Sequence, residues 1–383
     1  MNIIYISSLI PPDVLDEILA KSGGDYVVAP NKFHHTIVDG LIENGHSVKA
    51  ISHLPEQVKY VGFMQEGRLE YYFTKYSVKS KTKHLQIAAG VYRCIKRIKE
   101  NGFIPDMLIC DILNVSVCIG ALLAGKKYKI RTVGIVTDLL GISEHEEKNI
   151  LHRIAAKISN SYVSRFDYYV LLTQQMNQVV NPNKRPYIIM EGICDNKMIG
   201  SVEKKESQCR KLFYAGGRPS KDGIDILVSA FKRLPDPDIE LHIYGNVPNH
   251  RIGRDKIDNR IFYHGIVDNK TIVKEECDSY LLINPRPTGE MYTLYSFPSK
   301  VMEYMVTGVP MVTTRLAGIP EEYFDFVYSF KECNEQCYYE TLSHILSLPY
   351  SALKDKGAKA RNYVLEHKNK IVQTARIVEL INT

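Results

Sequence analysis

Residues 284–322 read NPRPTGEMYTLYSFPSKVMEYMVTGVPMVTTRLAGIPEE. The apolar run 280–283 just before them predicts a buried strand, and Pro285, Pro287 and Gly289 predict a turn-rich loop after it. Pro298 is expected at the first helical position, where its missing N–H leaves nothing unpaired. Thr307 and Gly308 close that helix, because glycine accepts the left-handed turn at a helix C-terminus. Residues 309–314 predict the next strand. The unit is strand, loop, short helix, strand.

The helix start carries a specific chemistry. Free backbone N–H groups and the positive end of the helix dipole favour an anion. Lys300 adds a point charge, and Ser299 and Glu303, four apart, share one helix face. A phosphate held near Ser299 would bring an attached ribose towards Glu303, whose carboxylate can accept from two neighbouring hydroxyls. The same spacing also describes an ordinary amphipathic helix with a charged face.

Outward from this stretch the pattern is α/β throughout. Residues 2–7 predict a first buried strand, 31–44 a helix and 47–51 a second strand, a β-α-β start that implies a parallel sheet. No G-x-G-x-x-G follows the first strand. Helices are expected over 83–101, 115–124 and 149–165, and strands over 106–110, 130–136, 168–173 and 187–190. The polar stretch 196–208 reads as a linker. The pattern then restarts with strands at 211–215, 239–244, 261–264 and 280–283, helices at 224–233 and 269–277, and a helical tail at 353–381. This predicts one domain over 1–195 and a second over 209–361.

The 383 residues suffice for two cores, and 45% apolar with 24% charged residues fits a globular protein. No run of about 20 apolar residues predicts a spanning helix. The N-terminus lacks a secretory signal, so a cytoplasmic location is expected. Eight scattered cysteines without paired metal spacing predict reduced thiols and no metal centre. Net charge is +6, and residues 75–99 hold eight Lys and Arg with no acid. That run fits an anionic membrane surface or a pyrophosphate-linked acceptor, and equally a solvated helix face. Without tryptophan or a basic-aromatic motif, a nucleic-acid partner is not expected.

Other candidates lie at predicted strand ends. The segment YAGGRPSKDG, 214–223, sits between a strand and a helix; Gly217 would let the backbone approach a diphosphate that Arg218 and Lys221 could neutralise. Gly245 and Ile266 follow two further strands, and Arg286 a third. In the first half Asp111 and Asn114 follow one strand and Asp138 another, while His34 and His35 lie on the first helix. Each acid could equally cap its loop. Asp236-Pro237-Asp238 has D-x-D form but precedes a strand, at the wrong edge for a ligand site.

SFPSKVMEYMVTGVPMV, 296–312, followed by AGIPEEY, 317–323, resembles the donor-binding segment of glycosyltransferase family 4, in a form similar to members that build bacterial capsule, O-antigen or exopolysaccharide. The resemblance implies a GT-B fold: two Rossmann-like domains facing across a cleft, with a C-terminal helix, about 362–383, crossing back to the first. It implies a retaining enzyme that needs no metal or cofactor. Such an enzyme moves a sugar from a UDP- or GDP-linked nucleotide sugar to a hydroxyl of a lipid-linked or glycan acceptor, peripherally on the inner face of the membrane. Glu303 matches the second of two family glutamates separated by seven residues, and Tyr295 stands at the first. On this reading Lys300, Asp111 and Asp138 are the catalytic candidates. Gly217, Arg218, Lys221, Gly245, Ile266, Tyr295, Ser299, Lys300 and Glu303 face the donor; His35 and Asn114 face the acceptor. A GT-B nucleotide-sugar epimerase and a non-catalytic GT-B subunit stay open, the second favoured by Tyr295.

Overall fold

The computed structural model describes residues 1–15, 29–53, 62–77, 79–139, 159–194, 210–216, 223–246, 258–289 and 291–382. The chain divides into two compact units: Met1–Ile193 with Lys370–Thr383, and Cys194–Asn369. Residues 362–369 therefore go with the second unit, and the first takes up the chain again at Lys370.

The first unit is built on β1 (Asn2–Ser7), β2 (Ser47–Ser52), β3 (Phe63–Glu66), β4 (Leu69–Phe73), β5 (Met107–Asp111), β6 (Arg131–Val136), β7 (Tyr168–Leu171) and β8 (Tyr187–Ile189). Their order is β3-β4-β2-β1-β5-β6-β7-β8, parallel except for the β3-β4 hairpin. β1 and β5 are buried along almost their whole length, as near-continuous apolar strands covered on both faces must be. The covering helices are α1 (Ala29–Glu43), α2 (Lys83–Glu100), α3 (Val115–Tyr128) and the short α4 (Met176–Val180).

The second unit has β9 (Arg210–Ala215), α5 (Ile224–Lys232), β10 (Ile239–Tyr244), β11 (Ile261–Gly265), α6 (Asn269–Cys277), β12 (Leu281–Asn284), α7 (Ser299–Thr307), β13 (Met311–Thr314), β14 (Tyr328–Phe330), α8 (Glu335–Ser347) and α9 (Tyr350–His367). All six strands are parallel, ordered β11-β10-β9-β12-β13-β14. The chain winds outward from β9 to β11, then returns to β12 on the other side of β9. The first unit reverses in the same way between β1 and β5.

Four local expectations need correction or qualification. The tail expected as one helix over 353–381 is two, α9 and α10 (Lys370–Asn382). At the break, Asn369 donates from Nδ2 to the Leu365 and Glu366 carbonyls, and the Lys368 carbonyl accepts from Cys194 N–H at 2.8 Å. α10 then packs on α1, with Asn44 Nδ2 donating to Thr374 Oγ1 and to the Ile371 carbonyl. Pro298 is the N-cap of α7, with φ −73° and ψ 111°, and Ser299 is the first helical residue. The β3-β4 hairpin was not expected from the sequence. Most of the helix expected over 149–165 lies outside the described residues.

Candidate functional site

In an open parallel sheet, the loops leaving the strands on either side of an order reversal diverge, and a crevice forms at the carboxyl ends of those strands. In the second unit that place lies between β9 and β12. Gly216 N–H donates to the Tyr244 carbonyl at 3.1 Å, and Gly245 N–H to the Gly265 carbonyl at 2.8 Å, which ties the ends of β9, β10 and β11 together. Gly245 has φ +124°, and a Cβ there would stand 1.9 Å from the Gly216 carbonyl oxygen. Gly223, at the start of α5, has φ +76°, and its Cβ would stand 2.1 Å from the Pro285 oxygen. Only glycine allows these approaches. The loops after β9 and β12 thus touch backbone to backbone, and Pro285 is also held by the Tyr338 hydroxyl, which donates to its carbonyl at 2.9 Å.

α7 begins beside this crossing. No side chain caps its start, so the first turn is open to an anion. Tyr304, one turn into the helix, accepts Ala215 N–H at 3.2 Å and so ties α7 to the end of β9. Lys300 Nζ lies 3.1 Å from Glu303 Oε2 and 3.8 Å from Glu276 Oε1. Glu303 is exposed and Glu276, on α6, is buried. Glu276 Oε1 has no hydrogen-bond partner. Burial pushes the Glu276 carboxyl up to about 7, against the pull of Lys300 and with the push of Glu303. One cation thus stands among two carboxylates at an open helix start.

The other donor-side candidates are less gathered. Tyr295 is half-buried, just past a 3-10 turn, Met291–Leu294. The loop it belongs to rests on Gly318, where a Cβ would meet the Ser296 oxygen at 2.3 Å. Ile266 follows β11 and is 79% exposed. Gly217, Arg218 and Lys221 lie outside the described residues. Asp236 pairs with Arg210, and its Oδ1 accepts Asp238 N–H at 2.9 Å, so the D-x-D stretch is a turn ahead of β10.

In the first unit the reversal between β1 and β5 holds a buried polar chain. Tyr5 Oη is 2.7 Å from His34 Nδ1, and His34 Nε2 is 3.3 Å from Asp111 Oδ2. With the phenol donating to Nδ1, the Nε2–H faces the carboxylate. Burial first, and Asp111 second, push the Tyr5 phenol well above its ordinary value. Asn114 caps α3 by accepting Ser116 and Val117 N–H, and its Nδ2 donates to His53 Nε2 at 3.2 Å. Burial lowers the His53 pKa. Ser52 Oγ, at the end of β2, and Thr137 Oγ1, just past the end of β6, are buried without hydrogen-bond partners.

Two sequence candidates sit apart from that chain. His35 donates from Nε2 to the Ile10 carbonyl at 2.7 Å and so holds the segment after β1. Asp138 is exposed, and its Oδ1 accepts Leu139 N–H at 2.8 Å, a local loop cap. The residues missed in the sequence are Tyr5, His53 and Glu276. His53 lies two residues past a predicted strand, the one signal that could have found it.

Residues 209–345 match the family model described as Glycosyl transferases group 1. No curated protein matches the chain in sequence. Among solved structures, a glycosyltransferase from Rickettsia africae is 13% identical, with a TM-score of 0.67 over 99% of this chain and 97% of that one. Sucrose-phosphate synthase from Thermosynechococcus elongatus is 10% identical, with a TM-score of 0.65 over 100% and 98%. HepE of Anabaena, in complex with UDP and glucose, is 12% identical, with a TM-score of 0.59 over 100% and 99%. These likenesses establish the fold. The chain is a two-domain, parallel-sheet α/β protein of GT-B type, and its second unit matches a glycosyl transferase group 1 domain.

Proposed function

We propose that the chain is a retaining glycosyltransferase that moves a sugar from a UDP- or GDP-linked donor to a hydroxyl of a lipid-linked or polysaccharide acceptor, in the synthesis of bacterial surface polysaccharide. The observation that carries this reading is the placement of Lys300 in the open first turn of α7 and of Glu303 at the start of its second, inside the group 1 match and beside the β9-β12 reversal. UDP and glucose are bound by the HepE neighbour, which supports a nucleotide-sugar donor here.

On this reading the donor diphosphate meets the N–H groups at Ser299 and the Lys300 ammonium. The negative charge that grows on the leaving diphosphate is stabilised there without a metal. Glu303 accepts from the ribose hydroxyls. Gly217, Arg218 and Lys221 serve the same diphosphate, and Gly245, Ile266 and Tyr295 the rest of the donor. Asp111, held by His34, and Asn114 serve the acceptor side, and Asp138, apart from them just past the end of β6, is a further candidate there. No helix of the described residues is long and apolar enough to cross a membrane. The basic run at 75–99 supports a peripheral site on an anionic inner membrane face. The test is donor turnover by folded Lys300→Ala and Glu303→Ala proteins. Loss in both is expected, and full activity in both overturns the assignment.

A further inference from the structure

A cavity of about 670 Å³ opens in the first unit at the opposite sheet edge from Asp111. Arg131 starts β6 and Tyr168 starts β7, so the cavity lies at the amino ends of these strands and at the end of α3. Lys126, Lys129, Arg131, Arg165 and Arg185 line it, against the single carboxylate of Asp167. That carboxylate is already engaged: its Oδ2 accepts Thr132 N–H at 2.9 Å and Thr132 Oγ1 at 2.8 Å. Among the described residues none of the five cations is in an ion pair.

The side chains of two of the cations and the backbones of two others are fixed. Arg131 donates to the Ile381 carbonyl at 2.9 Å. Arg165 donates to the Ser161 carbonyl at 3.1 Å, and its guanidinium lies 4.6 Å over the Tyr162 ring. Both backbone groups of Arg185 bond the Asn181 side chain at 2.8 Å. Lys129 caps α3 in the left-handed region, with φ 56°. The negative end of α3 accounts for Lys126 and Lys129, which lie at that helix end. It does not account for three arginines brought in from other elements.

Five cations against one carboxylate give a formal charge of +4, which calls for several negative charges close together. Arginine forks match phosphate oxygens pairwise. Leu122, Ile130 and Pro186 add an apolar wall beside the charges. The volume is that of a small-molecule site and exceeds the needs of a bare diphosphate. We propose that this cavity binds a diphosphate-bearing ligand through its arginines and lysines, with the attached organic group against the apolar wall. The proposal is independent of donor chemistry in the second unit.

The test is calorimetric titration of the full chain with inorganic pyrophosphate at low ionic strength. The exposed double variant Lys126→Glu/Arg185→Glu should bind at least about tenfold more weakly, because two charge-assisted contacts are reversed. The same comparison is made in a Lys300→Ala background, which removes diphosphate binding at the start of α7: binding that persists there belongs to the cavity, and the double variant should weaken it to the same extent. Arg165→Gln gives the same reading if the double variant does not fold. Unchanged affinity in these cavity variants, or no binding by the unaltered protein, overturns the proposal. Flotation with phosphatidylcholine vesicles, with and without diacylglycerol pyrophosphate, then identifies the source of the diphosphate. Flotation that needs diacylglycerol pyrophosphate and is lost in the double variant supports a lipid headgroup; no flotation, with pyrophosphate binding intact, supports a free ligand.

Discussion

Lys300 Nζ stands 3.8 Å from Glu276 Oε1, so the cation at the start of α7 is backed by a buried carboxylate that has no hydrogen bond of its own at that oxygen. Burial raises the Glu276 carboxyl from 4.5 to about 7 in the folded protein. The folded state therefore holds a proton that the unfolded chain releases across that range. Stability from this group is complete below pH 4.5 and is lost as pH rises to about 7, amounting to at most about 3 kcal/mol. Glu276→Gln should remove this slope and leave the protein more stable than the parent at pH 8. Urea midpoints at pH 5 and pH 8 check it; parallel curves for the two proteins would refute the buried-carboxylate account.

If the start of α7 holds a diphosphate, the same residue makes that binding pH-dependent. Protonating Glu276 leaves Lys300 facing one carboxylate fewer, so a diphosphate should bind more tightly below pH 7 than above it. Titration of UDP at pH 6 and pH 8 should show the difference in the parent and not in Glu276→Gln.

Gly245 and Gly102 separate two kinds of glycine cost. Both have positive φ, +124° and +87°, but a Cβ at Gly102 meets nothing within 4 Å, whereas one at Gly245 strikes the Gly216 oxygen. Gly102→Ala should cost about 1 kcal/mol from backbone strain alone. Gly245→Ala should cost clearly more and should weaken nucleotide binding, because the ends of β9 and β10 must part. Equal losses in chemical denaturation would contradict this.

Tyr5→Phe leaves His34 Nδ1 buried without its 2.7 Å partner. A loss of about 1–3 kcal/mol is expected. A change within measurement error would show that the Tyr5-His34-Asp111 chain does not order the β1-β5 reversal.

The fold was legible where each boundary had a local cause. Gly308 has φ +73° at the end of α7, as a glycine C-cap implies, and the apolar runs became the central strands. Pro298 marked the helix start to within one residue. The β3-β4 hairpin escaped because an edge strand with Phe63 49% exposed and the sequence FMQE has no buried face to announce it. The division of the tail at Lys368 and Asn369 carries no glycine or proline, and only the capping bonds of Asn369 reveal it.

The site was legible in part for a similar reason. Ser299, Lys300 and Glu303 lie within the first two turns, so their spacing brings them together. Glu276 precedes Lys300 by 24 residues and sits in KEEC, which reads as a surface helix until α6 is packed against α7. His34 and His35 are adjacent, and only packing against Tyr5 decides which of them meets Asp111.

The central claim is that the α7 start holds a nucleotide-diphosphate sugar. The most direct test is a thermal-shift titration of the protein and of Lys300→Ala with a panel of UDP- and GDP-sugars, since a ligand that binds only the folded state raises its melting temperature. At least one sugar nucleotide should stabilise the parent, with most of that shift lost in Lys300→Ala. No shift with any donor, or an equal shift in both proteins, would contradict the account.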